Sequence, residues 1–307
     1  MWELAETKGE LFVADDGVSG PREPQETILE DLIRRIGNEV GFDPELAIDA
    51  LRSEDASLPT LAELEGVESR LWTHFSGSAP TLGGDFPHAQ LVAWAWVSVA
   101  YRQAHAAFVL YKQGFPDAAC ANARAAMEHG VYLSLLAAVG SVDSVLDPLE
   151  GAYLRNAEKI FGGMDEEMPE LLSFILTDLA GLITSSRDPE VTVFQRVCER
   201  LDTGDRVYRY FRMLSNCVHA GFGSAEPFML SAVAGVSKDP SEPVLSNEPT
   251  DIHTRATLWL ALGGCAWAGW SADRLFAAEY FGPLLDSTVR DMDFMPLVLK
   301  SATESDR

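Results

Sequence analysis

Arginine and histidine recur at short spacings in two places in the chain. Six residues separate Arg212 from His219, and four separate Arg124 from His129. In metal-free cleavage of RNA, a histidine exchanges protons with the 2′-hydroxyl or the leaving oxygen, and an arginine stabilises the charge on the phosphate. We therefore take Arg212 and His219 as the candidate catalytic pair.

A structural role explains the same residues. His219 falls near the end of a predicted helix, where the helix dipole favours a cationic side chain. Two matches to so loose a pattern are close to what chance gives in a chain with six histidines. Both interpretations of His219 stay open at this point.

The pattern of apolar and polar residues over 208–221 predicts a helix in which an apolar stripe runs beside a polar one. The apolar positions recur with the helical period. Half-buried polar groups need partners, because an unpaired buried polar group is costly. The apolar stripe consists of Val207, Phe211, Leu214 and Val218, and the polar stripe of Tyr208, Arg212, Ser215 and His219.

A second segment, Asn-Ala-Arg-Ala-Ala-Met-Glu-His at residues 122–129, is the predicted partner of that helix. Arg124 and Glu128 are spaced i, i+4 on an alanine-rich helix, which favours an ion pair between them. In alanine- and leucine-rich surroundings this pair is expected to be partly buried. It could then hold Ser215, Asn216 or His219 of the facing helix, and such clusters fix helix register more often than they do chemistry.

Metal and cofactor sites have little support in the sequence. His105, His129 and His219 lie on three predicted helices, but no helix-borne pair of ligands accompanies them. No glycine fingerprint for phosphates or dinucleotides is present. We therefore predict no metal and no cofactor, and interpret Cys120 and Cys217 as small buried apolar residues.

The predicted fold is all-α, an antiparallel helical bundle with a small N-terminal helical extension. Prolines and glycines separate the helical segments, and no regular alternation of strands is found. The predicted domains are an acidic extension at 1–58 and the bundle at 59–307. The bundle helices are expected at 58–75, 88–113, 117–139, 142–161, 164–186, 189–201, 208–221, 251–281 and 284–299. Five tryptophans on these helices are interpreted as aromatic core, with an apolar pocket as the alternative: Trp94, Trp96, Trp259, Trp267 and Trp270.

The net charge of −24 constrains the partners. A long nucleic-acid backbone is repelled unless a local cationic groove exists. Residues 1–70 contain 18 acidic and 6 basic residues, so they carry half of the net charge and could dock a protein partner. The apolar runs are too short for a membrane span, and four distant cysteines suit a reducing cytosol. We expect a cytoplasmic protein without a membrane segment.

The two motif segments resemble uncharacterised bacterial all-helical proteins. These carry an Arg-x-x-x-Glu helix followed by an aromatic-x-x-Leu-Ser-x-x-Val-His segment, and are suspected relatives of the HEPN superfamily. The resemblance covers roughly residues 88–225. It implies a helical bundle, often a homodimer, with RNA or a nucleotide in a local cleft. By this analogy Arg212 contacts phosphate and His219 acts as acid or base.

Two functions follow as expectations. The first is a HEPN-like, metal-independent ribonuclease of a bacterial toxin or defence system. The second is a non-catalytic helical binding or scaffold protein, in which a buried polar lock joins the two motif helices. The supporting cluster is the same in both: Arg124, Glu128, Tyr208, Ser215 and Asn216.

Overall fold

The computed structural model describes residue 34 and residues 58–77, 87–161, 188–218, 254–289, 292 and 294–300. The chain divides into two units, Met1–Asp55 and Ala56–Arg307, and the fold below is that of the second. The predicted N-terminal extension, apart from residues 34 and 58, lies outside the described residues, as do the helix at 164–186 and residues 219–221 of the 208–221 helix. The predicted domain boundary at residue 58 stays a prediction.

The part of the second unit that the structure describes is helical, and the prediction of an all-α fold is confirmed. Its one pairing of extended backbone is an isolated antiparallel bridge between Leu201 and Leu299. None of the described helices has the length and apolarity needed to cross a bilayer. The helices are α1 (Leu61–Gly77), α2 (Pro87–Lys112), α3 (Pro116–Ala138), α4 (Asp143–Phe161), α5 (Pro189–Thr192), α6 (Phe194–Glu199), α7 (Gly204–Val218), α8 (Thr254–Phe276) and α9 (Gly282–Thr288).

Helix α3 is central to the core and contacts α2, α7 and α8. Its small residues allow the close approach that the alanine-rich sequence predicts. A β-carbon on Gly130 would lie 2.5 Å from the carbonyl oxygen of Gly264 on α8. The two helices therefore touch backbone to backbone, and this contact fixes the position of α3.

The turn between α2 and α3 also agrees with the sequence. Gly114 adopts a φ of +82°, in the left-handed region that glycine occupies at little cost. Pro116 then stands at the start of α3, where its missing N–H removes no helical hydrogen bond. The glycine and the proline together end one long helix and begin the next.

The predicted helix at 189–201 is instead two short helices. Val193 separates α5 from α6 with an extended backbone, φ −104° and ψ 111°. Its N–H still bonds the carbonyl of Pro189, so α5 closes after a single turn. A β-branched valine tolerates extended backbone well, and the helical period alone did not reveal this break.

The predicted helix at 251–281 ends earlier, at Phe276. Ala277 adopts a left-handed φ of +50°. The Asp273 carboxylate then accepts hydrogen bonds from the backbone N–H groups of Tyr280, Phe281 and Gly282. A side chain on α8 therefore shapes the turn into α9.

The prediction of a final helix over 284–299 is wrong beyond Thr288. Beyond α9, residues 294–300 form no helix. Within this stretch, Leu299 takes part in the isolated bridge. Two tryptophans of α8 hold this stretch by donating indole hydrogen bonds to backbone carbonyls. Trp259 donates to Met292 at 3.0 Å, and Trp267 donates to Met295 at 3.1 Å.

Candidate functional site

The two predicted motif segments meet. Helix α7 is strongly amphipathic, and its inner face, with Val207 and Leu214 buried, belongs to the hydrophobic core. It begins at Gly204, where the backbone passes so close to Cys198 that a β-carbon would clash. The pairing of the 122–132 segment with this helix is therefore confirmed as a contact between α3 and α7.

Arg124 on α3 contacts an aromatic ring of α7. Its guanidinium carbon lies 4.6 Å from the centre of the Phe211 ring, a cation–π geometry. The Phe211 ring in turn lies 4.2 Å from that of Phe194 and 6.3 Å from that of Tyr208. Arg124 thus sits on an aromatic cluster that α6 and α7 provide.

Glu128 follows Arg124 by one helical turn and is half-buried. Burial raises the pKa of the Glu128 carboxyl above its ordinary value of 4.5, and attraction to Arg124 and His129 opposes that rise. Burial, with a smaller contribution from Glu128, also raises the pKa of the Cys198 thiol to about 12. The carboxylate therefore stands in a poorly solvated environment close to the arginine.

The pKa of Glu128 gives a pH-dependent prediction. The folded protein holds the Glu128 proton more tightly than the unfolded chain does. The stabilisation that the protonated Glu128 carboxyl contributes is therefore fully present below about pH 4.5. It is lost as the pH rises through the higher pKa that this group has in the folded protein. We expect the Tm difference, Glu128→Gln minus wild type, to be more positive at pH 7 than at pH 4. Thermal unfolding of both proteins at several pH values checks this, and a Tm difference that does not vary with pH would contradict it.

The other residues of the predicted polar cluster occupy different sides of α7. Ser215 is buried, and its hydroxyl donates to the carbonyl of Phe211 in its own helix at 2.6 Å. Tyr208 is half-buried beside Phe211, whereas Asn216 is exposed. The described structure therefore gives Ser215 a partner within α7 and leaves Asn216 at the surface.

The outer face of α7 is basic. Arg206, Arg209 and Arg212 are exposed and follow one another at i, i+3, so neighbouring side chains lie on adjacent turns. The helix has one acidic residue, Asp205. Arg206 donates to the hydroxyl of Tyr210 at 3.0 Å, whereas no hydrogen bond or ion pair joins Arg212 to any described residue.

His219 lies outside the described residues, so its geometry relative to Arg212 stays a prediction. The second match to the pattern, Arg124 with His129, is described. The His129 ring nitrogen Nδ1 is 2.8 Å from the carbonyl of Ala125, one turn back on the same helix. This contact gives His129 a local partner in α3.

The third histidine that the sequence analysis raised, His105, belongs to another part of the bundle. Its Nδ1 lies 2.6 Å from Oε1 of the buried Glu68, and its ring stacks on Trp72 at 4.0 Å. No group of three potential metal ligands occurs within the described ranges.

The tryptophans are distributed over separate aromatic clusters. Trp94 packs near Phe75 and Phe281, and Trp96 near Tyr132. Trp259 and Trp267 line a pocket of about 120 Å³ next to α7, together with residues that include Arg206, Tyr210 and Phe294. Ligand pockets usually measure about 300–1,000 Å³, so this one is too small to enclose a nucleotide.

The sequence analysis did not predict the polar partners of Cys120 and Cys217. The Cys120 sulfur on α3 lies 3.5 Å from the Thr257 hydroxyl of α8. The Cys217 thiol on α7 donates to the carbonyl of Met213 in its own helix at 3.6 Å.

Comparisons with known proteins identified no relative of this chain. No family model, no curated protein and no solved structure matches this chain.

Proposed function

We propose that this protein is a HEPN-like helical bundle protein that cleaves RNA without a metal ion, as part of a bacterial toxin or defence system. The observation that supports it is the contact between α3 and α7, the helices that carry Arg124 and Arg212. Arg124 and Arg212, which are 88 positions apart in the sequence, are thereby carried by neighbouring helices.

RNA binding by so acidic a chain requires a local group of cations, and the basic face of α7 supplies one. A phosphate backbone is attracted by local cations, whatever the charge elsewhere on the protein. Three arginines on consecutive turns of α7 provide them, and Arg212 is exposed without a partner among the described residues. In this proposal Arg212 neutralises the phosphate as charge builds up in the transition state.

His219 has the role of proton carrier in the proposal. It takes the proton from the 2′-hydroxyl or gives one to the leaving oxygen, as general acid–base catalysis of RNA cleavage requires. It follows the last described residue of α7, Val218, directly in the sequence. Arg124 then acts as a positioning residue, because its guanidinium packs on Phe211 of the helix that carries Arg212.

Expression of wild type and His219→Ala in a bacterial host tests the proposal. We expect wild type to slow growth and to fragment cellular RNA, and the variant to do neither at the same protein level. Equal growth with intact RNA in both strains would contradict the toxin proposal.

The second candidate is a non-catalytic binding or scaffold protein, and two contacts favour it. Arg124 is engaged with the Phe211 ring, and Ser215 is hydrogen-bonded within its own helix. Arg124 therefore contributes to a packed interface between α3 and α7, and the Ser215 hydroxyl has its partner within α7. Under this alternative His219→Ala lowers the Tm by several degrees and changes no RNA. An unchanged Tm with loss of RNA cleavage favours the enzyme.

A further inference from the structure

We propose that the pocket next to α7 is a binding site for a small aromatic carboxylate, a molecule of the size of benzoate. The ring of the ligand fills the apolar interior of the pocket, and its carboxylate binds Arg206 at the mouth. This site goes beyond the proposed RNA cleavage and does not rest on it.

The interior walls of the pocket are aromatic and buried. Trp259, Trp267 and Phe294 line it, and the Phe294 ring centre lies 4.7 Å from that of Trp259 and 6.2 Å from that of Trp267. Both indole N–H groups already donate to backbone carbonyls, those of Met292 and Met295. The indoles therefore offer ring surface, and no hydrogen bond, to an occupant. Because a buried water needs about two to four polar partners, an apolar group suits this interior better than water does.

The volume of the pocket sets the size of the occupant. It measures about 120 Å³. An apolar protein cavity of roughly 150 Å³ holds one benzene molecule, so a single six-membered ring fits here and two fused rings do not. Aromatic rings pack favourably with their centres about 4.5–7 Å apart, the spacing that Phe294 already has to both tryptophans. An aromatic ring is therefore favoured over an aliphatic ring of equal size.

The mouth of the pocket is cationic. Arg206 and Met295 line the pocket and are exposed, so the pocket reaches the surface. The Nε–H of Arg206 donates to the hydroxyl of Tyr210 at 3.0 Å. The Tyr210 ring in turn packs edge-on against that of Trp259, with ring centres 5.7 Å apart. These contacts place the guanidinium at the rim of the aromatic walls.

A carboxylate is the group that suits this rim. A guanidinium has five N–H donors and pairs with a planar carboxylate, so Arg206 can bind one while it keeps its bond to Tyr210. Thr203 also lines the pocket and adds a hydroxyl to the lining. Asp202 and Asp205, the acidic residues beside it in the sequence, are exposed and do not line the pocket. A ring and a carboxylate in one molecule thus match the interior and the rim.

Titration of the full-length protein with sodium benzoate tests the proposal. The methionine methyl groups are labelled with carbon-13, and the Met295 signal is assigned by its absence in Met295→Leu. We expect benzoate to shift the Met295 signal saturably and to leave the signal of Met127, which is buried in α3, in place. 2-Naphthoate should bind at least about fivefold more weakly, because overpacking is costly. Sodium acetate, which has no ring to bury, should bind at least about tenfold more weakly.

Two arginine variants test the contact at the rim. Arg206→Gln is expected to weaken benzoate binding about fivefold and to leave the binding of neutral benzamide unchanged. Arg209→Gln removes the same charge from the same face of α7, but Arg209 does not line the pocket, so benzoate binding should stay within about twofold of wild type. Both arginines are exposed, so both variants are expected to fold, and their Tm values check this.

Three results would each overturn the proposal. The first is a Met295 signal that benzoate does not shift saturably. The second is tighter binding of 2-naphthoate than of benzoate, which would indicate an open apolar surface in place of a pocket for one ring. The third is an equal loss of benzoate binding in Arg206→Gln and Arg209→Gln, which would indicate general attraction to the basic face.

Discussion

Replacing Gly264 by alanine is expected to destabilise the protein by about 3 kcal/mol, because overpacking against a fixed backbone is costly. The new β-carbon would lie 2.5 Å from the carbonyl carbon of Ala126 and 2.6 Å from the backbone nitrogen of Met127. No side chain can rotate to relieve this clash, so α3 and α8 must move apart. For a domain of this size the Tm falls by roughly 6–12 °C.

Gly66→Ala is the matched control for this effect. Gly66 is exposed on α1, and an added β-carbon would meet nothing within 4 Å. Alanine favours a helix over glycine by about 1 kcal/mol, so this variant should be as stable as wild type or more so. Thermal unfolding followed by circular dichroism measures both variants. A Gly264→Ala protein as stable as Gly66→Ala would contradict the close contact between α3 and α8.

The second large effect is expected at Arg212. If its guanidinium stabilises the phosphate in the transition state, Arg212→Ala lowers the rate of RNA cleavage by roughly 10²–10³-fold. Arg209 is exposed one turn away on the same basic face of α7, and under the proposed function it would contribute only general attraction for the RNA backbone. Arg209→Ala should therefore weaken binding and reduce its salt dependence, with less than about a tenfold loss of rate at saturating RNA.

Initial rates over a range of RNA and salt concentrations separate the two roles. Both arginines are exposed, so neither substitution should change the Tm by more than about 1–2 °C. Equal losses of rate in the two variants would show that the basic face acts only by charge, and would remove Arg212 from the catalytic role.

Much of the fold followed from the sequence, because helical period and helix breakers are local signals. The end of α2 and the start of α3 were predicted from Gly114 and Pro116. The contact between α3 and α7 was predicted from the Arg124–Glu128 pair and the polar stripe of the facing helix. The path of the chain after Thr288 was not predicted. It depends on indole hydrogen bonds from Trp259 and Trp267, which act over about 30 positions and leave no periodic pattern.

The site was predicted in outline rather than in its contacts. The sequence pattern indicated Arg124 and Glu128 as the partners of α7. It did not predict that the arginine would lie over the Phe211 ring. It also treated Cys120 as an apolar residue, although the Cys120 sulfur lies 3.5 Å from the Thr257 hydroxyl of α8. This contact joins residues 137 positions apart, so it depends on packing between helices and leaves no local pattern in the sequence.

The most direct test of the proposed function compares two oligonucleotides of the same sequence in the presence of a metal chelator. One is RNA, and the other carries 2′-deoxy sugars throughout. Wild-type protein should cleave the RNA and leave the 2′-deoxy strand intact, because the proposed reaction requires the 2′-hydroxyl, which would give up its proton to His219. His219→Ala should cleave neither strand, and Arg212→Ala should cleave the RNA roughly 10²–10³-fold more slowly than the wild type does. Cleavage of both strands at the same rate, or no cleavage of RNA by the wild type, would contradict the proposal.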